Sequence, residues 1–310
     1  MSTAIAISQG SLQNRLRMHL TELHLPTVKE VFDEAARMAE AEHLSYEQYL
    51  LHVVERECEV RRTNRISRIL RDSGLPLEKT FEIFKRDRLP RAQNAQLTSL
   101  LDGSFLDRKE NVLVFGRSGS GKTHLLCALA HELIQTHERR IRFTTCSLLV
   151  QELLVAKRDL KLARYLKRMA RYDGLIIDEV GYIQQSRDEM EVLFTLLADR
   201  YERGSVMLTS NLPFSQWSEI FKDPTTTAAA IDRLVHHSII IELNLESYRL
   251  EESEQHLKRD AQLTPATTSP GKEAQHAKKT GLTRDSKNRD KRALHTKKSP
   301  KSEGAIHREK

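Results

Sequence analysis

The feature that most constrains the fold is a loop rich in glycine and serine, Gly116–Thr123. An apolar, β-prone run, Asn111–Phe115, comes directly before the loop, and a helical run, Leu125–Ile134, follows it. The spacing Gly-x-x-x-x-Gly-Lys-Thr in this setting is typical of a loop whose backbone amides point at phosphate groups, aided by the positive end of the next helix. We therefore predict nucleotide binding by Gly116, Arg117, Ser118, Gly119, Ser120, Gly121, Lys122 and Thr123.

The last two residues of the loop have separate predicted roles. Lys122 is expected to reach the β- and γ-phosphates of ATP. The Thr123 hydroxyl is expected to ligate Mg²⁺, which neutralises charge on the transferred phosphoryl group. ATP and Mg²⁺ are therefore the predicted cofactors.

Polar residues at the ends of two further apolar runs complete the predicted site. Gly174–Glu179 ends in two carboxylates, at the place where a parallel sheet presents its ligands. Asp178 is expected to hold Mg²⁺ through water, and Glu179 to orient and deprotonate the attacking water. Asn211 follows the run Val206–Ser210 and could position the same water. A turn-forming asparagine before Leu212-Pro213 is an equally good interpretation of Asn211.

The alternation of segments predicts an α/β fold with a five-stranded parallel sheet covered by helices. Residues 1–84 are predicted to form a small all-helical domain, 85–110 a linker leading into the core, 111–252 the nucleotide-binding domain, and 253–310 a disordered basic tail. The predicted strands are Asn111–Phe115, Ile141–Thr145, Leu175–Asp178, Val206–Thr209 and Ile239–Glu242.

Composition limits the other classes of function. The net charge is +7, but +6 of it lies in residues 251–310, so the nearly neutral body gives no bulk signature of nucleic-acid binding. The three cysteines are far apart in the sequence and favour neither a zinc cluster nor a disulfide framework. No apolar run approaches the roughly 20 residues of a membrane span, and the start lacks the pattern of a secretory signal. We expect a cytoplasmic protein that does not enter a membrane.

Beyond these separate motifs, the chain resembles IstB-type helper ATPases of insertion-sequence transposition, which are relatives of the DnaC helicase loaders. The resemblance covers roughly residues 12–251 and implies an AAA+ P-loop fold behind an N-terminal helical domain. It also implies ATP-dependent assembly of a homo-oligomer on duplex DNA and cooperation with a transposase. The matching runs are Gly121–Leu125, Ile177–Tyr182, Arg200–Ser205, Thr209–Pro213, Asp232–His237 and Ser247–Leu250.

The resemblance also implies roles for single residues. Lys122 and Thr123 fall on the Walker A positions and Asp178 and Glu179 on Walker B, while His124, beside the loop, joins the nucleotide-binding set. Asn211 corresponds to sensor 1, and Arg233 to an arginine finger that acts on ATP in the neighbouring subunit. A buried Asp232–Arg233 ion pair is the structural alternative for the finger. Arg249 is the only nearby candidate for a sensor 2, and we favour an ordinary surface or packing role for it.

Two basic stripes are candidate DNA contacts. Steps of four, three and four residues place Lys157, Lys161, Arg164 and Arg168 on one face of a single predicted helix, opposite Leu162, Leu166 and Met169. Related initiator-type ATPases place DNA-contacting helices in this region, and aligned cations can neutralise phosphates without reading bases. A solvated helix face is the alternative.

The second stripe, in the helical domain, consists of Arg61, Arg65 and Arg68. Glutamates lie close to it in the sequence, so an intrahelical ion-pair surface is nearly as good an interpretation as DNA binding. The same stripe could instead contact the transposase.

The sequence is compatible with two functions, and both use the same type of ATPase core. The first is a transposition helper, whose ATP cycle controls assembly on target DNA and which recruits or stimulates a transposase. The second is a DnaC-like replicative helicase loader. A small-molecule P-loop kinase is disfavoured, because no acceptor pocket is recognisable in the sequence.

Overall fold

The computed structural model describes residues 9–182, 186–217, 224–245 and 247. Five parallel strands form one sheet in the order β2-β3-β4-β1-β5. Each predicted strand is present, with bounds that differ by no more than two residues. The strands are β1 Asn111–Gly116, β2 Ile141–Thr145, β3 Gly174–Val180, β4 Ser205–Ser210 and β5 Ser238–Leu243.

Helices cover both faces of the sheet, and each face has its own apolar core. The helices that follow β1 are α6 Lys122–His137, α7 Cys146–Arg158, α8 Leu162–Met169, α9 Arg187–Arg200 and α10 Pro224–Val235. Buried leucines of α6 pack on one face, and buried residues of α7, α8 and α9 pack on the other. Burial on both sides explains the continuous apolar runs Val112–Phe115 in β1 and Val206–Leu208 in β4. The predicted α/β fold with a five-stranded parallel sheet is confirmed.

The region before β1 is helical, and two of its helices lie within residues 85–110, the predicted linker. It contains α1 Gln9–Glu22, α2 Pro26–Ala41, α3 Tyr46–Ser73, α4 Arg91–Leu100 and α5 Ser104–Asp107. A capping box between Ser45 and Gln48 begins α3, and Gly74, in the left-handed conformation, ends it. The first three helices share a small core that includes Leu20, Phe32 and Val53.

The second half of α3 lies outside that small core and packs against the region that contains the β-sheet. Its Ile66, Ile69 and Leu70 pack against the same apolar cluster as α6, and the buried residues Leu75 and Phe84 belong to that cluster. The division at residue 84 stays a prediction, and the proposed tail 253–310 and Arg249 lie outside the described residues. Within the described ranges, no helix combines the length and apolar character of a membrane span. The cytoplasmic location stays a prediction.

Candidate nucleotide-binding site

The phosphate-binding loop lies where β1 passes into α6, at the carboxyl edge of the sheet. Gly119 and Gly121 have φ angles of +80° and +91°, which only glycine adopts without strain. A Cβ on Gly119 would also collide with Ser247, and one on Gly116 with the carbonyl of Leu243. The loop therefore needs glycine for its curvature and for its close contact with the chain beyond β5.

The side chains of the loop divide into two groups. Arg117 and Ser118 are exposed, so the backbone cradle does not depend on burial of their side chains. Ser120 is fully buried, and its Oγ has no hydrogen-bond partner among the described residues. Lys122 Nζ donates to the carbonyls of Gly116 at 2.9 Å and Arg117 at 2.8 Å. A buried hydroxyl and an ammonium group thus lie inside the curve of the loop.

The two halves of the predicted site meet at Asp178. This carboxylate is 5% exposed, and its Oδ1 accepts a hydrogen bond from Thr123 Oγ1 at 2.8 Å. A second hydroxyl, Thr209 Oγ1, donates to the same oxygen at 2.6 Å. Among the described residues, no cation forms an ion pair with Asp178. A buried carboxylate with only neutral donors is a suitable ligand for an external cation.

Glu179 follows Asp178 at an irregularity in β3. Its φ is +61°, and the pairing of β3 with β4 shifts by one residue between Ile177 and Val180. The Glu179 side chain is exposed, whereas its backbone N–H donates to Thr209 Oγ1 at 2.9 Å. The carboxylate is therefore outside the sheet at its carboxyl edge.

Asn211 and His124 lie on different sides of the loop. Asn211 directly follows β4, which pairs with both β1 and β3, so this exposed residue lies between the loop and the acidic pair. The His124 ring contacts Phe84 at 5.2 Å between centroids, and its Nε2 is 3.0 Å from the Thr80 carbonyl. Burial lowers the pKa of His124. His124 therefore packs on the segment that precedes α4.

Arg233 lies at the opposite edge of the sheet from the loop. It is in the last turn of α10, and the carbonyl of the next residue, Leu234, accepts a hydrogen bond from Asn111 Nδ2 at 3.0 Å. Asn111 begins β1, and six strand residues span about 20 Å. Asp232 and Arg233 are both exposed, so the alternative of a buried pair is wrong.

The first basic stripe is not one helix face, and that prediction is wrong. The chain leaves α7 at Arg158, Leu160 takes a left-handed φ of +55°, and α8 begins at Leu162. Lys157 pairs with Glu191 at 2.9 Å, and Lys161 lies 3.5 Å from Asp159. Tyr165 and Met169 form the buried side of α8, while Leu162 and Leu166 are half-buried.

Arg164 and Arg168 of that stripe remain exposed together on α8. The Arg168 guanidinium lies 4.7 Å from the centre of the Tyr165 ring. A groove of about 830 Å³ separates α7 from α8, and cations surround its α8 side. These cations are Lys161, Arg164, Lys167, Arg168 and Arg171.

The second basic stripe is mostly engaged within the chain. Arg61 Nε donates to Glu57 Oε1 at 2.7 Å, and its Nη2 donates to the His24 carbonyl. Arg65 pairs with Glu138 at 2.9 Å. Of these three arginines, only Arg68 is exposed without an ion pair to another described residue. The intrahelical ion-pair interpretation therefore describes Arg61, whereas Arg65 pairs with a residue at the end of α6.

Sequence reasoning missed two residues that organise the site and its sheet. Thr209 joins Asp178 to Glu179, although it was visible only as part of the run Thr209–Pro213. Arg200 is 2% exposed and donates to the carbonyls of Met169, Tyr172, Asp173 and Ser205 at 2.9 to 3.4 Å. Burial lowers its pKa to about 10, so it stays charged at neutral pH. A Cβ on Gly204 would lie 2.5 Å from Arg200 Nη2, which explains the glycine beside it.

Known proteins resemble most of the chain. The family described as IstB-like ATP binding protein matches residues 18–256. A putative insertion-sequence ATP-binding protein of Sinorhizobium fredii is 41% identical over 236 residues, which is 76% of this chain and 79% of the relative. The putative ATP-binding protein of insertion sequence IS5376 from Geobacillus stearothermophilus is 36% identical, covering 78% and 96%. Among solved structures, DnaI has a TM-score of 0.47 at 20% identity, covering 55% of this chain and 95% of DnaI.

Proposed function

Because the chain belongs to the family of IstB-like ATP-binding proteins, we propose that it is an ATP-hydrolysing helper of insertion-sequence transposition. In this proposal it assembles with further copies on duplex DNA and recruits or stimulates a partner transposase. Family membership confirms the predicted resemblance and the predicted class, a P-loop ATPase. The observation that carries the mechanism is the contact of Thr123 with Asp178, which brings together residues 55 positions apart.

The residues of the loop fit a triphosphate and its metal. The buried Ser120 hydroxyl forms no hydrogen bond with another described residue. The Lys122 ammonium group donates hydrogen bonds to backbone carbonyls of the same loop. Thr123 and Asp178 are the candidate ligands for Mg²⁺, directly or through water, since both offer oxygen atoms. When bound, Mg²⁺ would neutralise charge that builds up on the transferred phosphoryl group.

The exposed Glu179 is the proposed base for the attacking water. It sits at the carboxyl edge of the sheet beside the buried Asp178, so the two adjacent acids have different surroundings. Asn211 lies between Glu179 and the loop in the strand order, which supports a role in positioning the same water. General-base catalysis of this kind contributes typically 10²–10⁴ in rate.

The position of Arg233 supports action on a neighbouring subunit. The amino ends of β1 and β5 lie beside Arg233, about one strand length from the loop of the same chain. An exposed arginine at this edge can enter a second subunit's site only if the copies pack edge to edge. ATP hydrolysis would then depend on assembly.

The proposed DNA contact involves fewer basic residues than the sequence suggested. Arg164 and Arg168 on α8, with Lys161 before it, border the groove between α7 and α8. Lys157, Arg61 and Arg65 are already engaged by carboxylates of the chain. Phosphates of duplex DNA would be held by charge rather than by base reading.

A strand-transfer assay tests the function. Its components are the transposase encoded beside this chain, a donor DNA with the element's ends, a target duplex, and this protein with ATP. Transfer into the target should require the protein and ATP, and Lys122→Ala should fail because it no longer binds ATP tightly. Strand transfer that proceeds equally well without the protein would contradict the proposal. If the protein instead loads a replicative helicase onto single-stranded DNA, the helicase-loader alternative replaces the proposal.

A further inference from the structure

One buried hydroxyl connects the two acidic residues of the site. Thr209 is 1% exposed and lies near the carboxyl end of β4. Its Oγ1 accepts a hydrogen bond from the Glu179 backbone N–H at 2.9 Å and donates to Asp178 Oδ1 at 2.6 Å. The hydroxyl therefore uses its acceptor and its donor on two consecutive residues, which carry different proposed roles.

The first of these hydrogen bonds, from the Glu179 N–H, replaces a backbone hydrogen bond that is missing between β3 and β4. Ile177 pairs with Leu208, and Val180 pairs with Ser210, so β3 contains one residue more than β4 across this interval. An extra residue of this kind leaves a backbone group without its ladder partner. The Thr209 hydroxyl satisfies the Glu179 N–H, at the residue whose φ is +61°. Non-glycine residues keep a left-handed conformation only where the surroundings hold it.

The second bond orients the carboxylate. Asp178 Oδ1 accepts from Thr209 on the strand side and from Thr123 on the loop side. If Thr123 turns its oxygen toward a metal, the Thr209 bond remains to hold the plane of the carboxylate.

We propose that Thr209 is a positioning residue for ATP hydrolysis, which holds Glu179 in its left-handed turn and orients Asp178. The proposal rests on the proposed roles of Glu179 and Asp178. Thr209 acts through these residues and needs no contact with the nucleotide. Its removal should lower kcat and leave ATP binding nearly unchanged.

Three substitutions in the full chain test this role, with ATP hydrolysis measured on saturating duplex DNA and ATP affinity measured separately. Thr209→Val keeps the shape without the hydroxyl and should lower kcat about 10-fold to 100-fold, the scale expected for misplaced catalytic groups. The Kd for ATP should change less than about threefold, since the loop is untouched. Thr209→Ser should recover most of kcat. Thr144→Val is the matched control, because its buried hydroxyl donates to the neighbouring Thr145 carbonyl and, among the described residues, to no group of the site.

A double variant separates positioning from a general loss of structure. In a Glu179→Gln background, Thr209→Val should lower the residual rate far less than it does alone, since both changes disable one group. An equal factor in both backgrounds, or a wild-type kcat for Thr209→Val, would overturn the positioning role. If Thr209→Val does not fold, Thr209→Ala takes its place with the same expectations. A wild-type rate for Glu179→Gln alone would instead refute the proposed mechanism itself.

Discussion

Two carboxylates are almost fully buried in the described part of the chain, one in the helical domain and one in the nucleotide site. Glu57 is 3% exposed and Asp178 is 5% exposed. Glu57 accepts hydrogen bonds from the backbone N–H groups of Thr27 at 2.8 Å and Val28 at 3.1 Å. It also pairs with Arg61 at 2.7 Å, whereas the donors to Asp178 among the described residues are two threonine hydroxyls.

These different partners distinguish a charge that the fold itself neutralises from a charge that an external ligand can neutralise. Burial opposes ionisation of Glu57, but Arg61 and the two amides at the start of α2 outweigh it and lower the pKa of Glu57. The fold thus neutralises Glu57 with its own groups. Asp178 receives no such cation from the described residues, so its charge fits a metal that comes with the nucleotide. Arg61 and Arg233 form the same contrast among exposed cations, because Arg61 pairs with Glu57 whereas Arg233 forms no ion pair with another described residue.

The largest expected effect tests the exposed cation of this contrast. Arg233→Ala should lower ATP turnover on DNA by about 10³–10⁵, the range for removal of an arginine finger, while ATP binding stays intact. Arg203→Ala is the matched control, because this exposed arginine, three residues beyond the end of α9, pairs with Asp199 within its own chain.

Mixing subunits decides whether Arg233 acts across an interface. Arg233→Ala subunits have an intact pocket, and Lys122→Ala subunits an intact finger, so an equimolar mixture should recover part of the hydrolysis. A mixture that co-assembles on DNA but stays inactive would assign Arg233 to assembly or structure.

The second prediction concerns Asp178, the buried carboxylate that forms no ion pair with another described residue. Asp178→Asn should lower hydrolysis by about 10²–10³, the scale of one lost electrostatic contact in a transition state. ATP binding should lose most of its dependence on Mg²⁺ concentration, measured by titration with a fluorescent ATP analogue. The free energy of unfolding should stay the same or rise, because a neutral amide replaces a buried charge. A marked loss of stability would place Asp178 with Glu57 as a structural residue.

The third prediction compares surface cations that form no ion pair with another described residue and surface cations that form one. Replacing Arg164 and Arg168 together by Ala should flatten the log–log dependence of duplex affinity on salt by about 1.8, at roughly 0.9 for each lost phosphate contact. Replacing Lys157 and Arg65, which pair with Glu191 and Glu138, should change the slope little. Equal slopes for both double variants would leave α8 as a solvated face.

The smallest expected effect tests the structural carboxylate. Glu57→Gln should lower the free energy of unfolding by about 1 kcal/mol, the typical loss when a helix N-terminus loses its cap. ATP hydrolysis on DNA should remain near the wild-type rate. Glu55→Gln is the matched control, since Glu55 is exposed on the same helix.

The pH dependence of unfolding gives the sign of this contribution. The pKa of Glu57 is lower in the folded chain than its ordinary value, about 4.3. The stabilisation is therefore fully present above that value and is lost as the pH falls through the lower folded pKa. Chemical denaturation between pH 7 and pH 3 should show a smaller acid loss for Glu57→Gln than for the wild type. Parallel pH profiles for the two proteins would contradict the role of Glu57.

The sequence by itself determined the parts of the site that are contiguous along the chain. The loop Gly116–Thr123, the strand that ends in Asp178-Glu179, and all five strands follow from local spacing and apolar runs. Such signals are readable because a phosphate loop needs its glycines, strand and helix in immediate succession. The family resemblance followed from the same runs.

Only the tertiary structure decided which distant groups meet. The strand order places β4 between β1 and β3, so Thr209 reaches Asp178 and Glu179 across an irregularity that no spacing reveals. The turn at Leu160 divides a basic stripe whose sequence spacing fits one helix, and Arg61 pairs with Glu57. A side chain's partner depends on which residues the fold brings within about 3 Å, and residues far apart in sequence carry no local mark of that contact.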